Sequence, residues 1–361
     1  MKTNYTLIGD VREKLKELPD KSIQMCVTSP PYYALRDYGT AKWEGGDPNC
    51  DHLEKTSGMS NKNTLGHSGN LPNTNQANLS GKIQYKNKCK KCGAKRKDNQ
   101  LGLEDTPEEF VENMVEVFAQ VHRVLRDDGT LWLNLGDSYS SGSRTSTTNQ
   151  SLRKDKDYGV TRPPANKNIK PKSLLGIPWK VAIALQEWGW ILRQDIIWAK
   201  KNCMPESVKD RFTKNHEYIF LLSKQPKYFF NQILEDAVSG KDMGILRCKK
   251  QAKLNHPSIT KRQKMNINPK TAGTGKKNKR SVWNMRTASY KEAHFAVFPP
   301  ELAETCIKAG SNEKDIVLDC FMGSGTTAMV AQQHSRKWIG VELNPEYEKL
   351  IKKRTAQREL F

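Results

Sequence analysis

The turn Asp319-Cys320-Phe321-Met322-Gly323-Ser324-Gly325-Thr326-Thr327-Ala328 constrains the chain more than any other stretch. A β-type run, Asp315 to Asp319, leads into it, and a helical pattern from Thr326 to His334 leads out. Glycines at such a turn let backbone approach a ligand, and the following helix offers it unpaired N–H groups. The unit belongs in a parallel α/β sheet, where ligands sit beyond the carboxyl ends of the strands. Gly323, Gly325 and Ala328 have the spacing of a nucleotide-binding turn. No Gly-Lys-Ser/Thr follows, which excludes a Walker phosphate loop. Asp319 would repel a pyrophosphate and suits a cationic ligand. Glu342, ending the next strand (Lys337 to Glu342), is placed to accept hydrogen bonds from ribose hydroxyls.

The rest of the chain alternates in the same way. Tyr5 to Asp10 reads as a strand, Val11 to Leu18 as a helix, and Ser22 to Thr28 as a second strand halted by Pro30-Pro31. Thr106 is a helix N-cap with Pro107 at the first helical position. The apolar stripe from Val111 to Leu125 continues that helix, with Asp127-Asp128-Gly129 as its end. Thr130 to Leu135 reads as a buried strand and Pro178 to Glu187 as a helix. Trp190 to Trp198 and Glu217 to Leu222 read as a strand pair. Helices Pro300 to Ala309 and Pro345 to Ala356 complete the set. Strands alternating with helices predict a largely parallel, doubly wound α/β sheet.

Thr28-Ser29-Pro30-Pro31-Tyr32 follows the second strand. The prolines stiffen the loop and remove competing N–H donors. Ser29 Oγ and the Pro30 carbonyl can accept hydrogen bonds, and Tyr32 offers a face for stacking a base. An exocyclic amino nitrogen is a poor nucleophile because its lone pair is delocalised into the ring. Two acceptors holding its hydrogens turn that lone pair toward an electrophile, so the step is mainly positioning and electrostatics.

The two motifs together resemble the amino-methyltransferases of DNA. Asp319 to Thr327 is similar to that family's cofactor motif, and Ser29, Pro30, Pro31 and Tyr32 to its catalytic motif. The catalytic motif comes first, as in the beta group, a circular permutation of the common fold. The resemblance implies a Rossmann-like, seven-stranded, mostly parallel sheet with insertions, the two motifs on adjacent central strands, and S-adenosylmethionine as cofactor. It assigns cofactor contacts to Asp10 (adenine), Thr28, Phe298, Asp319, Phe321, Gly323, Ser324, Gly325, Thr326, Thr327, Glu342 (ribose) and Asn344. His294 to Leu302 resembles the segment over the methionine part, and Pro205 to Glu217 a stretch near the target base. Cytosine enzymes of the family usually carry Ser at the position of Ser29 and adenine enzymes Asp. Cytosine is therefore favoured, with adenine as the alternative. Carbon-5 methylation would need a nucleophilic cysteine, and the chain has no Pro-Cys pair.

Residues 39–100 are rich in Gly, Asn, Ser and Lys with little periodicity, the mark of a functional or unfolded insertion. Cys50-Asp51-His52 and Cys89-Lys90-Lys91-Cys92-Gly93 flank it. Cys-x-x-Cys-Gly is a zinc-knuckle pattern, and Cys50, His52, Cys89 and Cys92 make a candidate tetrahedral set for a structural zinc. Cys26, Cys203, Cys248, Cys306 and Cys320 read as buried or incidental.

The formal net charge is +21, and it is clustered. Residues 241–280 carry 13 Lys or Arg against one acid, Asp242; residues 81–97 carry eight and no acid. Such runs favour phosphate and hence nucleic acid. The reading divides the chain into a catalytic domain (1–38, 101–230 and 282–361), the insertion 39–100, and a basic target-recognition segment, 231–281, with the irregular 140–172 loop as a second recognition candidate. Double-stranded DNA is the expected partner, with a companion restriction endonuclease as a candidate. The expected state is monomer or homodimer, in a prokaryotic or phage-derived cytoplasm. The chain has no apolar stretch of membrane-span length and no signal-peptide pattern. Three rival readings remain at this point: a non-catalytic, zinc-dependent nucleic-acid-binding protein, an NAD-dependent enzyme, and an RNA methyltransferase.

Overall fold

The computed structural model describes residues 1–36, 38–55, 82–85, 88–140, 169–203, 205–236, 276–288 and 298–356. It divides into two compact units, Met1–Asp37 with Leu101–Phe361, and Tyr38–Gln100. Most of the 241–280 lysine cluster, most of the 140–172 loop, Cys248 and His294 to Val297 lie outside the described residues.

The larger unit is built on an eight-stranded sheet. Its strands are β1 (Tyr5–Ile8), β2 (Ile23–Thr28), β3 (Leu125–Leu135), β4 (Ile191–Lys200), β5 (His216–Ser223), β6 (Val282–Met285), β7 (Ile316–Asp319) and β8 (Lys337–Glu342). Their spatial order is β1-β8-β7-β2-β3-β5-β4-β6. All pairings are parallel except the two made by β5, which runs antiparallel between β3 and β4. The two motif strands are neighbours, with Val317 opposite Met25 and Leu318 opposite Cys26. Seven strands were expected, and the eighth is β6. Its alternating exposed and buried residues place Trp283 and Met285 in the core, and it pairs with β4 from Val282↔Ile197 onward.

Period-2 alternation along the central strands feeds two cores, one on each face. Ile23, Cys26, Leu131, Leu133, Phe220 and Leu222 face helices α2 (Pro107–Val124) and α3 (Ile177–Trp188), together with α1 (Val11–Lys14). Met25, Val27, Trp132, Ile219 and Leu221 face α4 (Pro300–Gly310) and α5 (Thr326–Gln333). The last helix, α6 (Tyr347–Ala356), adds Ile351 to this second core. Thr106 Oγ1 caps α2 by accepting from Glu109 N at 3.1 Å, with Pro107 in the first turn. The Asp127-Asp128-Gly129 stop is not used. The helix ends at Val124 and the chain enters β3 directly, because Leu125 is wholly buried opposite Ile23. Asp127 is left at the surface in an ion pair with Lys21. Among the described residues no helix is long and apolar enough to cross a membrane.

Phe118 on α2 has no exposed surface and packs in the first core. Phe118→Ala is expected to cost about 3–5 kcal/mol through lost burial and a residual cavity. A lowered urea midpoint measures it, and a midpoint equal to wild type would show that α2 does not anchor this face.

Candidate active site

The site forms at the carboxyl ends of β2, β3, β7 and β8. Asp319, the last residue of β7, is 1% exposed. Its Oδ1 accepts from Thr28 Oγ1 at 2.6 Å and from Phe321 N at 3.1 Å, and its Oδ2 accepts from Thr327 Oγ1 at 2.6 Å. One carboxylate therefore joins the Ser-Pro-Pro-Tyr strand to the Gly-rich turn, 291 residues apart. Burial raises the Asp319 carboxyl above its usual range, and the three donors work against that shift.

Gly323, at φ +51, takes a backbone conformation that side chains resist, and a Cβ there would have only Phe321 O, 4.0 Å away, near it. Its N–H donates to Glu342 Oε2 at 2.8 Å, and Asn344 N donates to Oε1 at 2.9 Å. Gly325, at φ +83, is the N-cap of α5. Ser324 and Thr326 turn the other way: Arg354 donates to Ser324 Oγ at 2.8 Å and to Thr326 Oγ1 at 3.0 Å, bracing the turn from behind. Asn344 Oδ1 accepts from Glu346 N at 3.0 Å. Phe321 packs against the first core, and Phe298, just before α4, against the second. Asp10 caps α1 and pairs with Arg12 at 2.6 Å. Burial raises its carboxyl, but the hydrogen bonds and charge of Arg12 outweigh that and hold it below its usual value.

The catalytic-motif loop is half-buried at Ser29, Pro31 and Tyr32 and buried at Pro30. The ring of Tyr32 lies against Gly136, where a Cβ would come within 2.5 Å of Cε2. The Tyr32 hydroxyl enters a polar network that the sequence reading missed. It donates to Glu217 Oε2 at 2.6 Å, lies 3.1 Å from Asn134 Oδ1, and accepts from Ser29 Oγ at 3.3 Å. Lys200 pairs with the other oxygen of Glu217. The available signals were a polar residue, Asn134, inside an apolar strand, and an acid opening another.

The smaller unit brings its four candidate ligands together. The donor atoms of Cys50, His52, Cys89 and Cys92 all lie within 4.8 Å of one another. Cys50 Sγ and Cys89 Sγ are 3.7 Å apart, and Cys92 Sγ is 3.5 Å from His52 Nδ1. Trp43 stacks on the His52 ring with centroids 4.3 Å apart. Backbone ribbons Lys42–Glu44 with Lys95–Lys97, and Leu53–Lys55 with Lys82–Gln84, frame the cluster.

A family model described as DNA methylase, of the N6/N4 type, matches residues 23–353. The chain belongs to the N6/N4 DNA methylases. The Type II methyltransferase M.SmaI of Serratia marcescens is 37% identical to this methylase over 353 residues, which is 98% of this chain and 90% of that one. M.Cfr9I of Citrobacter freundii is 37% identical over 339 residues, 94% of this chain and 83% of that one. Among solved structures, the cytosine-N4-specific PvuII DNA methyltransferase shares the fold with a TM-score of 0.54 at 18% identity, covering 98% of this chain and 86% of that one. A putative DNA modification methylase of Thermus thermophilus, solved with S-adenosyl-L-methionine, matches with a TM-score of 0.50 at 19% identity over 97% of this chain and 92% of that one.

In this methylase Glu342 has a testable electrostatic signature. Burial raises its carboxyl from 4.5 to about 7, against the N–H donors of Asn344 and Gly323. Across that window the folded chain keeps a proton that the unfolded chain has released, so the group's contribution to stability falls as pH rises. Glu342→Gln carries no titrating proton and is expected to flatten the thermal midpoint between about pH 4.5 and 7. An unchanged slope would assign the pH dependence to other groups.

Proposed function

We propose that this methylase transfers the methyl group of S-adenosylmethionine to the exocyclic amino nitrogen of cytosine in double-stranded DNA. The observation that carries the reading is the Asp319 carboxylate, which holds Thr28 of the catalytic-motif strand and Thr327 of the cofactor turn at 2.6 Å each. It places an acceptor-bearing loop beside a turn suited to a cationic nucleoside. Glu342 would accept the ribose hydroxyls, Asp10 would meet the adenine, and the negative charge of Asp319 would favour the methionine end. Phe298 and Phe321 would supply apolar walls, with Thr28, Gly323, Ser324, Gly325, Thr326, Thr327 and Asn344 shaping the turn.

The target base must leave the stack to reach such a site. Ser29 Oγ and the Pro30 carbonyl would accept its amino hydrogens, Pro31 would stiffen the loop, and Tyr32 would stack on the ring. Methyl transfer from the bound cofactor would leave a neutral thioether, and the amino nitrogen, gaining a carbon–nitrogen bond, would give up one of its two hydrogens as a proton to solvent past the Ser29 and Pro30 acceptors. Ser29 is the support for cytosine over adenine. The basic 231–281 segment would position the duplex through phosphate contacts. Its described part includes the antiparallel ribbon Leu234–Asp236 with Lys276–Asn278. The Type II names of the relatives support a companion endonuclease, and a DNA substrate supports a cytoplasmic setting.

The smaller unit is proposed to hold one structural zinc ion through Cys50, His52, Cys89 and Cys92. Tetrahedral zinc sets sulfur–sulfur edges near ~3.8 Å and sulfur–nitrogen edges near ~3.5 Å from its usual bond lengths. The Cys50–Cys89 and Cys92–His52 separations, 3.7 and 3.5 Å, have those lengths. A disulfide would need sulfurs about 2 Å apart. Among the described residues the unit's apolar core is Tyr85, Cys89 and Ala94, with Trp43, Cys50 and Cys92 against it, and a core this small favours a metal staple.

Sequencing of modified bases in DNA from cells expressing the protein is expected to show N4-methylcytosine in one sequence context. N6-methyladenine would reverse the base assignment, and no modified base on any DNA would end the reading. Ser29→Ala is expected to lower turnover about a hundredfold with cofactor affinity retained. Elemental analysis of the purified chain is expected to find about one zinc, released by chelator together with loss of protease resistance in 38–100; a metal-free folded chain would remove the zinc.

A further inference from the structure

Four side chains from four separate segments meet behind the Ser-Pro-Pro-Tyr loop. Tyr32 belongs to the loop, Asn134 to β3, Lys200 to the end of β4 and Glu217 to the start of β5. Donors and acceptors in this cluster are constrained by chemistry. An ionised carboxylate only accepts, an ammonium only donates, and a phenol has a single hydrogen to give.

Lys200 takes Oε1 of Glu217, the pair being mostly buried at 22% and 12% side-chain exposure. Asn134 Nδ2 donates to Glu217 Oε2 at 3.2 Å and to Tyr218 O at 3.1 Å, which fixes the amide with its oxygen toward Tyr32. Both groups facing the Tyr32 hydroxyl, Glu217 Oε2 and Asn134 Oδ1, are therefore acceptors. The phenol hydrogen must point into the cluster. Its oxygen can then only accept from Ser29, whose hydroxyl proton is drawn toward Tyr32 at 3.3 Å. The lone pairs of Ser29 Oγ are left for an incoming N–H.

We infer that Glu217 is a positioning residue that, acting through Tyr32, sets the polarity of the Ser29 hydroxyl so that it presents an acceptor to the amino group of the target base. The inference rests on the reading of Ser29 given above. Lys200 and Asn134 serve the same end, one occupying the far oxygen of the carboxylate and the other barring the reversed arrangement. Without the carboxylate, a serine hydroxyl can rotate and donate to a ring nitrogen, which leaves the amino lone pair delocalised and unreactive.

Replacement by glutamine makes the inference testable. Lys200 would hold the amide oxygen of residue 217, so the amide NH2 would face Tyr32 and donate to it. The chain of hydrogen bonds would then run backward. Glu217→Gln is expected to lower kcat for DNA methylation about tenfold to a hundredfold, with the affinity for S-adenosylmethionine, measured by calorimetry, within about twofold of wild type. The retained affinity shows that the variant is folded. Tyr32→Phe keeps the stacking face and removes the relay, and is expected to lower kcat by a similar factor. In the double variant, Glu217→Gln should add no more than about a twofold loss to that of Tyr32→Phe, because it acts through the missing hydroxyl. Wild-type kcat in Glu217→Gln, or losses that multiply in the double variant, would overturn the inference while wild-type methylation stands. Absence of methylation by the wild-type protein would instead overturn the reading beneath it.

Discussion

The contact between Thr28 and Asp319 holds the rest of the site in place. Two strands from opposite ends of the chain pair in parallel at the centre of the sheet, and their last residues share a buried hydrogen bond of 2.6 Å. A carboxylate at 1% exposure is costly unless its oxygens are satisfied. Thr28, Thr327 and Phe321 N satisfy them, and each belongs to an element the site needs. The interaction that offsets the desolvation of Asp319 therefore also sets the spacing between the Ser-Pro-Pro-Tyr loop and the Gly-rich turn. Removing any one donor would leave a buried acceptor underused and free the element that carried it.

The second dependence is on β5. Its antiparallel insertion between β3 and β4 puts the start of β5 next to the ends of its neighbours. Asn134, Lys200 and Glu217 thus converge from three different strands. In an all-parallel sheet the same end would hold three strand termini of one kind. Here the chain leaves along β3 and β4 and enters along β5. Polar residues at strand exits and entrances meet there, just behind Tyr32.

This geometry explains which parts were legible beforehand. The turn from Asp319 to Ala328 is a local object whose glycines and helix start declare themselves, so its place in an α/β sheet could be read directly. The Ser-Pro-Pro-Tyr loop was legible for the same reason, and the Cys50, His52, Cys89 and Cys92 grouping followed from ligand chemistry. The network around Glu217 was not legible, because it depends on a strand order that alternation along one strand does not encode. The eighth strand was hidden in another way: Val282 to Met285 is only four residues long, and its buried apolar content is two alternating side chains. The Asp127-Asp128-Gly129 stop misled because turn chemistry yielded to the burial of Leu125, a tertiary demand.

The net charge of the chain and the acids of the described site are opposite in sign. The chain as a whole is strongly basic at +21, yet the groups nearest the proposed methyl transfer are acids: Asp319, Glu342 and Glu217. The two fields do not cancel. Exposed lysines are screened beyond about 8 Å at physiological ionic strength, whereas buried carboxylates act at short range in a poorly screened interior. A strongly basic chain and buried site acids can therefore act on different groups without opposing one another. Asp319 and Glu342 are each tied by donors from within the protein that work against the effect of burial. The Asp319 cluster is therefore satisfied from within the protein and does not depend on the ligand for its hydrogen bonds.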